Sequence, residues 1–388
     1  MFSIFAGLSA AQFHSYLFES RGLGGFQIGL LLMMAQIAAI VSPLIQVPLI
    51  RHFHGPRLPL IFMLLGASIA LFLLPYLHTF SAFLILFTLF SFCAASVFPL
   101  NAAFTFDAMR DLGHSSFFYI RTIGTIGFMV GCLISLFFPR LAQLPLLYKG
   151  FSFALFVALI LVLFGYGTGR KIQNAYSAPG FKGTLSLLKS GVTLKLLLLL
   201  GWMNFANVLA IGVQGNYLIH RWNEGQGSIS LAWVISTSCE IPLMIICALM
   251  LKRFGLKLVL ALGIFGTVVK LVGLAYASTI NQYYLALTMH GCFYSGALTG
   301  FSIYLDRHYD PDDRASLQTI SGVFYSGIPC ALAGLSSGWI WHHHGLQAVY
   351  TISGALSIPA ALYGFWLLQK NDLNKKAIPS KTVQASKA

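Results

Sequence analysis

Five ionisable residues lie within, or directly after, long runs of apolar residues. Glu240 is near the middle of the run 227–250, Lys270 is well inside 258–277, and His290 is in the first half of 281–305. Arg121 is in the first turns of the run 116–138, and Asp107 directly follows the run 80–106. Acids, cations and histidines bind and release protons or hold charged solutes. These positions are therefore the first candidates for a functional site.

Glu240 and Lys270 allow two interpretations that are compatible with each other. Glu240 can be a structural partner that neutralises Lys270, or it can take up a proton when its cationic partner leaves. Lys270 and Arg121 would offer positive charge to an anionic substrate, and the guanidinium of Arg121 suits bidentate contact with a carboxylate. Arg121 can instead pair with Asp107 and hold the loop between them. Asp107 can also be an interfacial loop charge, with no further structural or coupling role.

Three amides fall on one face of the run 194–219. Asn204, Asn207 and Gln214 follow the spacing i, i+3 and i+10. A lipid-facing helix would not carry three amides on one side, so this face lines a cavity or forms hydrogen bonds between helices. In the run 1–18, Gln12 and Tyr16 begin a similar stripe, which continues to Glu19.

His290 also lies on a polar stripe, with Tyr294 one turn later. A histidine among apolar residues is often a packing residue, but an acid and a cation in neighbouring runs favour a role in proton coupling for His290 together with Glu240. Gln318 and Tyr325 are seven residues apart in the run 317–340. The predicted substrate-binding residues are Arg121, Lys270, Asn204, Asn207, Gln214, Tyr294, Gln318 and Tyr325.

The patterns of enzyme chemistry are missing from the sequence. It has no nucleotide-binding motif, catalytic triad or zinc spacing, and the six cysteines all lie in apolar runs, where they act as packing residues. His342, His343 and His344 are adjacent on a short turn and lack a second group of ligands, so no metal site is predicted. We therefore predict neither an enzyme nor a bound cofactor.

The composition identifies the medium in which these residues work. Of 388 residues, 57% are hydrophobic and 9% are charged, whereas soluble domains carry about 25% charged residues. This excludes a soluble enzyme, a nucleic-acid binder and a disulfide scaffold. The net charge of +14 comes from residues in short loops and a tail rather than from one basic face.

Twelve apolar runs are long enough to cross a bilayer, whose hydrocarbon core is about 30 Å thick. We number them spans 1–12, at 1–18, 25–50, 58–77, 80–106, 116–138, 146–167, 194–219, 227–250, 258–277, 281–305, 317–340 and 346–368. Backbone groups in lipid must be satisfied within each segment, so the spans should be helices. If both termini are cytoplasmic, the inner loops and tail with the adjoining span ends hold 18 Lys and Arg, and the outer loops with theirs hold 4. This asymmetry predicts cytoplasmic termini.

A long polar connection divides the spans into two sets of six. The predicted units are an N-terminal six-helix bundle at 1–167, a cytoplasmic central loop at 168–193, a C-terminal six-helix bundle at 194–368 and a disordered cytoplasmic tail at 369–388. The halves are weakly similar at an offset of 201, since Ile28 recurs as Ile229 and Arg51 as Lys252. The predicted fold class is an all-α membrane protein made of two six-helix pseudo-repeats.

Several short motifs resemble those of a known family. The series Arg121-x-x-Gly124-x-x-Gly127-Phe128-x-x-Gly131 resembles span 5 of the major facilitator group that includes 3-phenylpropionate permease, the nucleoside:proton symporters and lactose permease. Further similarities are the order Glu240, Lys270 and His290-Gly291 in spans 8–10, Arg314-Ala315-x-x-Gln318, and Gly334-x-x-x-Gly338-Trp339. The resemblance implies the major facilitator fold, alternating access, and roles in substrate binding and proton coupling for Glu240, Arg121, Lys270 and His290.

The sequence departs from the family pattern at several of these places. Asn101 stands where the family usually has an Asp in span 4, Lys270 replaces a common Arg, and Phe293 lies near the place of a carboxylate in lactose permease. Ile50 precedes Arg51, where the family motif has Asp. The resemblance therefore identifies the group more closely than it identifies the substrate.

We predict a proton-coupled symporter that imports a small organic solute by alternating access. An aromatic or other monocarboxylate is the favoured substrate, because with Glu240 protonated the cavity would keep two cations. The alternatives are a nucleoside or sugar symporter, a drug or siderophore exporter, and, less favoured, a membrane receptor that does not transport. The predicted partners are the solute, protons and the lipid bilayer of the bacterial inner membrane. We expect a monomer that is driven by the proton gradient and binds no nucleic acid.

Overall fold

A computed structural model of the chain describes residues 1–53, 55–108, 116–137, 144–165, 191–309, 317, 321–371 and 373. The side chains at 43, 44, 47, 51, 98, 99, 102–108 and 116–122 lie outside this description. All regular secondary structure in these ranges is helical. The prediction of an all-α chain is confirmed for the part that is described.

Each of the twelve predicted spans coincides with a helix or a series of helices. Spans 1–6 comprise Phe2–Leu8, Ser9–Phe13 and His14–Ser20, then Gly25–His52, Arg57–Leu73 with Leu74–Tyr76, Phe80–Ala108, Ser116–Phe137 and Leu144–Phe164. Spans 7–9 comprise Gly191–Ile211 with Gln214–Trp222, Gln226–Phe254 and Leu256–Tyr276. Span 10 comprises Ile280–Leu287, the π-helical Cys292–Leu298 and Thr299–His308, and spans 11 and 12 comprise the π-helical Val323–Gly327 and Ile328–Lys370.

Within the described ranges, eight helices are long and apolar enough to cross a membrane. The last of these contains both span 11 and span 12, which are separated at Gly345, where the backbone has a φ of 80°. A glycine is suited to this break because side chains disfavour positive φ. Spans 1 and 10 are interrupted helices, and the apolar part of span 5 is the shorter Ile123–Phe137.

Several boundaries differ from the predicted ones. Span 8 continues to Phe254, and span 7 begins at Gly191, within the loop predicted at 168–193. Residues 166–190 of that loop lie outside the described residues. The same holds for most of the tail predicted at 369–388, where the final helix continues to Lys370. The division into two bundles with these limits remains a prediction.

Large apolar side chains cover the outside of the molecule. Ile85 is 72% exposed and Phe164 is 79% exposed. A protein in water would bury such side chains, whereas lipid tails are as apolar as leucine and solvate them. The buried apolar residues form one cluster made of residues 4–162 with Ile229, and two clusters between 196 and 373. The apolar cores thus follow the two halves of the sequence.

The halves meet in a pattern that agrees with the repeat offset of 201. Span 2 packs on span 11, where a Cβ at Gly29 would lie 2.7 Å from the Cα of Gly338. Its counterpart is span 5 against span 8, where the hydroxyls of Ser135 and Ser230 are 2.6 Å apart. Close packing of small residues is a common means of joining membrane helices.

Spans 1 and 7 are interrupted at equivalent positions. The second helix of span 1 begins at His14 and that of span 7 at Gln214, one residue from the equivalent of His14. Interrupted helices at membrane depth are tolerated where protein or a water-filled cavity satisfies the freed backbone groups. Discontinuous helices are also a frequent element of transporter substrate sites. The interruptions place Gln12 and Gln214 at one level, between the two halves.

Candidate functional site

The amides of span 7 face spans 9 and 11 inside the C-terminal half. Asn204 donates from Nδ2 to the backbone carbonyl of Tyr325 (2.9 Å) and to Sγ of Cys330 (3.2 Å). One turn later, Oδ1 of Asn207 accepts a short hydrogen bond from Nζ of Lys270. Both asparagines are buried. The spacing i, i+3 thus places two amides on one interior face, as the sequence predicts.

Lys270 lies in the interior of the C-terminal half. Its side chain is 0% exposed, and Nζ is 3.4 Å from Nδ1 of His290 in addition to its bond with Asn207. A protonated Lys270 can only donate hydrogen bonds, and opposite it a neutral His290 accepts at Nδ1 when the ring carries its proton on Nε2. The structure thus brings Lys270, Asn207 and His290 of spans 9, 7 and 10 together.

His290 connects this buried cluster to a group of aromatic rings. Its ring centroid is 5.2 Å from that of Tyr294 and 5.8 Å from that of Trp233 on span 8. Trp233 in turn contacts Phe128 of span 5 at 5.7 Å. Tyr294, Trp233 and Phe128 are half-buried. The aromatic group therefore extends from the interior of the C-terminal half to the contact between the halves.

Glu240 lies where span 8 packs most closely on span 10. A Cβ at Gly291 would be 2.7 Å from the Cα of Glu240, so only glycine fits next to His290 at this point. The Glu240 side chain is half-buried and lies in the neighbourhood of Tyr294. Glu240, Tyr294 and His290 are therefore neighbours in the structure. An ion pair between Glu240 and Lys270 remains a prediction.

Two glutamines occupy the interruptions of spans 1 and 7. Gln12 and Gln214 are both buried, and a Cβ at Gly215 would lie 3.5 Å from the carbonyl oxygen of Gln12. In the described part of the chain, the Gln12 side chain lies next to the Cys132 thiol but makes no hydrogen bond of ordinary geometry, and Nε2 of Gln214 has no hydrogen-bond partner. Buried polar atoms without partners call for an explanation. A polar solute between the halves would supply one.

Some predicted site residues have no described side chain. Gln318 lies outside the described residues. Asp107 and Arg121 lie on helices whose backbone is described, but their side chains are not. Tyr325 belongs to the π-helical segment Val323–Gly327, and the contact it provides to Asn204 comes from its backbone carbonyl rather than its hydroxyl.

Trp233 and Phe128 belong to this aromatic group but were not among the predicted site residues. Trp233 is seven residues before Glu240, which is two helical turns on the same face. This spacing is the signal that identifies it. Phe128 lies within the glycine series of span 5. The sequence indicates it only as part of that motif, because no spacing predicts its contact with span 8.

The histidine run, predicted on a short turn, instead lies on the surface of the helix just before the break at Gly345. His342 and His343 border an open cavity of about 500 Å³ together with Phe26 and Trp339. The ring of His343 is 4.8 Å from that of Trp339. Among the described residues, no group of three or more potential metal-ligating side chains was found.

The fold is that of solved transporters. A crystal structure of the nucleoside transporter NupG is similar with a TM-score of 0.81 and 19% identity, covering 96% of this chain and 97% of that one. A bacterial homolog of the human lysosomal transporter Spinster, inward-facing and occupied, has a TM-score of 0.68 at 12% identity, covering 98% and 96%. The chain therefore has the major facilitator fold of these structures.

The sequence comparisons identify the family within this class. A sequence model described as nucleoside H+ symporter matches residues 2–368, and the chain belongs to this family. The maltose permease of Geobacillus stearothermophilus is 20% identical over 349 residues, which is 89% of this chain and 87% of the permease. The resemblance to the major facilitator group is confirmed. The family consists of transporters, so the prediction that the chain is not an enzyme is confirmed as well.

Proposed function

We propose that the protein is a proton-coupled importer of nucleosides. The family is that of nucleoside H+ symporters, and the similar NupG is a nucleoside transporter. An aromatic monocarboxylate, which the intramembrane cations favoured, has no support from these relatives. The nucleoside alternative is supported by these relatives, and the arrangement of the site supports it too.

One observation carries the proposal: the intramembrane cation is fully buried, whereas the intramembrane acid and two nearby aromatic rings are only partly buried. Lys270 is fully buried beneath Asn207 and His290. Glu240, Tyr294 and Trp233 are half-buried. An anionic solute would bind most favourably next to the cation, which is not accessible here. A solute with hydroxyl groups and a flat aromatic ring, such as a nucleoside, instead suits a carboxylate that accepts from hydroxyls and aromatic rings that stack.

We assign Glu240 as the proton-linked acid and His290 as its partner in coupling. The proposed substrate-binding residues are Arg121, Lys270, Asn204, Asn207, Gln214, Tyr294, Gln318 and Tyr325, with Asp107 in a structural or coupling role. Of these, Lys270 acts from behind Asn207 rather than by contact with the solute. We further propose a monomer in the bacterial inner membrane with both termini in the cytoplasm.

The test is uptake into liposomes that contain the purified protein. With an acidic exterior, labelled uridine or adenosine should accumulate above its external concentration, and a protonophore should abolish the accumulation. Unlabelled nucleosides should compete, whereas 3-phenylpropionate and maltose should not. Accumulation of phenylpropionate in place of nucleosides would overturn the proposal, and so would nucleoside uptake that does not depend on the pH gradient.

A further inference from the structure

Asn204 and Asn207 present opposite ends of their amides. The nitrogen of Asn204 is used by Tyr325 and Cys330, and its Oδ1 has no hydrogen-bond partner within the described residues. The oxygen of Asn207 is used by Lys270, and its side chain lies next to Tyr294, but its Nδ2 makes no hydrogen bond of ordinary geometry there. One helical turn separates the two residues, so the free acceptor and the free donor are neighbours on one face.

The orientation of Asn207 depends on Lys270. The oxygen and nitrogen of a carboxamide have nearly the same shape, so packing alone does not choose between the two orientations. An ammonium group has three donors and no acceptor. Facing Lys270, Asn207 must therefore turn its oxygen inward and its nitrogen away. A neutral side chain in place of Lys270 would leave the amide free to rotate.

We propose that Lys270 is a positioning residue, which fixes Asn207 as a hydrogen-bond donor beside the acceptor Asn204, so that the pair recognises an adjacent acceptor and donor on the solute. This inference rests on the proposed nucleoside transport and names the part of the solute that is recognised. The edge of a nucleobase that pairs in nucleic acids carries a donor next to an acceptor. In uridine these are N3–H and the neighbouring carbonyl oxygen, and proteins that bind unstacked bases read this same edge.

The burial of the cluster supports this role for Lys270. A lysine held in the membrane interior is expensive to keep, and such residues are retained for function. The contacts of the Lys270 ammonium group go to Asn207 and His290, whereas Nδ2 of Asn207 and Oδ1 of Asn204 make no ordinary hydrogen bond among the described residues, so these amide atoms rather than the ammonium are left for a solute. The function left for Lys270 is its effect on Asn207 and His290, the two side chains that it contacts. A site built around hydrogen bonds rejects solutes that lack the matching group, because its own buried polar atoms then stay unpaired.

The experiment compares uridine with N3-methyluridine, in which the donor is blocked, as competitors of labelled uridine uptake. The parent protein should prefer uridine by roughly tenfold or more. Lys270→Met should raise the KM for uridine and reduce this preference to nearly none, because the Asn207 amide loses its fixed orientation. Lys270→Arg, which also has donors only, should keep more of the preference than Lys270→Met. The matched control is Lys257→Met, which is the same change at the end of the same helix and should keep the full preference.

The ratio between the two competitors separates positioning from general damage. A purely structural defect in Lys270→Met would lower uptake of all nucleosides while leaving the preference intact, and that result would overturn the inference. If Lys270→Met does not fold, Asn207→Asp provides the second measurement. It keeps a partner for Lys270 but presents only acceptors, so it should lose the preference for uridine, and a retained preference would overturn the inference. A parent protein that transports no nucleoside at all would instead refute the proposed function.

Discussion

The interiors of the two halves each hold a buried histidine, yet their surroundings differ. In the N-terminal half, Nδ1 of His14 is 2.8 Å from the hydroxyl of Tyr148, and its ring packs edge-on against Phe87 and Phe90 at 5.0 and 5.4 Å. In the C-terminal half, His290 is next to Lys270. The first histidine is held in an aromatic cage, whereas the second belongs to a polar cluster with a cation.

A symmetric fold can therefore hold asymmetric chemistry. Spans 1 and 7 share their interruptions, and contacts between the halves follow the repeat offset. Among the side chains that the structure describes, however, the intramembrane acid and cation are both in the C-terminal half. Repeats make two halves that can move against each other, and each half is then free to specialise. We expect variants to reveal a C-terminal half that couples and an N-terminal half that supports.

The largest effect is expected from Glu240→Gln. With one proton per solute, a gradient of one pH unit supports about tenfold accumulation. The glutamine cannot exchange a proton, so the accumulation ratio should fall to about one, while exchange of internal for external nucleoside continues. Both quantities are measured in liposomes with and without a pH gradient.

Glu19→Gln is the matched control for that change, since Glu19 is the acid at the end of span 1. It should retain accumulation driven by the pH gradient. If Glu240→Gln still accumulates nucleoside in response to pH, the proton-linked acid is elsewhere, and the asymmetry between the halves is smaller than we infer.

Gly291→Ala should have the next largest effect. The added Cβ would lie 2.7 Å from the backbone Cα of Glu240, which cannot move without shifting span 8. Overpacking of this kind costs about 1–3 kcal/mol, and here it displaces the coupling acid from His290 as well. We expect a lower melting temperature and a reduced rate of uptake. Gly150→Ala is the control, because nothing lies within 4 Å of its added Cβ. Equal rates in the two variants would show that the approach of span 8 to span 10 is not needed.

Part of this difference between the halves could be predicted from the sequence, and part could not. The spans follow from composition, because only apolar helices satisfy a backbone in lipid. Glu240, Lys270 and His290 stand out because a charge at mid-membrane needs a reason. That Lys270 bonds to Asn207, 63 residues away, depends on how helices pack and could not be obtained from spacing. Nor could the role of Tyr325, whose backbone carbonyl makes the contact.

Pseudo-symmetry is the one signal that would have predicted a contact over a long distance. Glu19 and His220 are 201 residues apart, which equals the repeat offset, and so are Ser15 and Asn216. Residues related by the repeat meet only near the axis that relates the halves. The offset was visible in the sequence, so the contact of span 1 with span 7 could have been predicted from it.

A smaller effect is expected from His14→Phe. The ring keeps the aromatic cage filled, but the hydroxyl of Tyr148 loses its partner, which costs about 1–3 kcal/mol. The melting temperature should fall, whereas the accumulation ratio should stay unchanged. His290→Phe, the same substitution in the other half, should lower the accumulation ratio. Loss of accumulation in His14→Phe would mean that the N-terminal half also takes part in coupling.

The smallest effect is expected at the contact between the halves. Oε1 of Glu19 is 2.7 Å from Nε2 of His220, and Oε2 accepts from Asn216 at 2.6 Å. The two ionisable side chains are 26% and 53% exposed, and exposed ion pairs contribute about 0.2–1 kcal/mol. A double-mutant cycle of Glu19→Gln and His220→Gln, measured by thermal unfolding at an acidic pH at which an imidazole carries charge, should give a coupling in this range that weakens at high salt. The glutamine at position 19 still accepts from Asn216, so the cycle isolates the ionic part. A coupling of several kcal/mol would mean that the ends of spans 1 and 7, rather than the buried cluster of the C-terminal half, dominate the energy of closing the transporter.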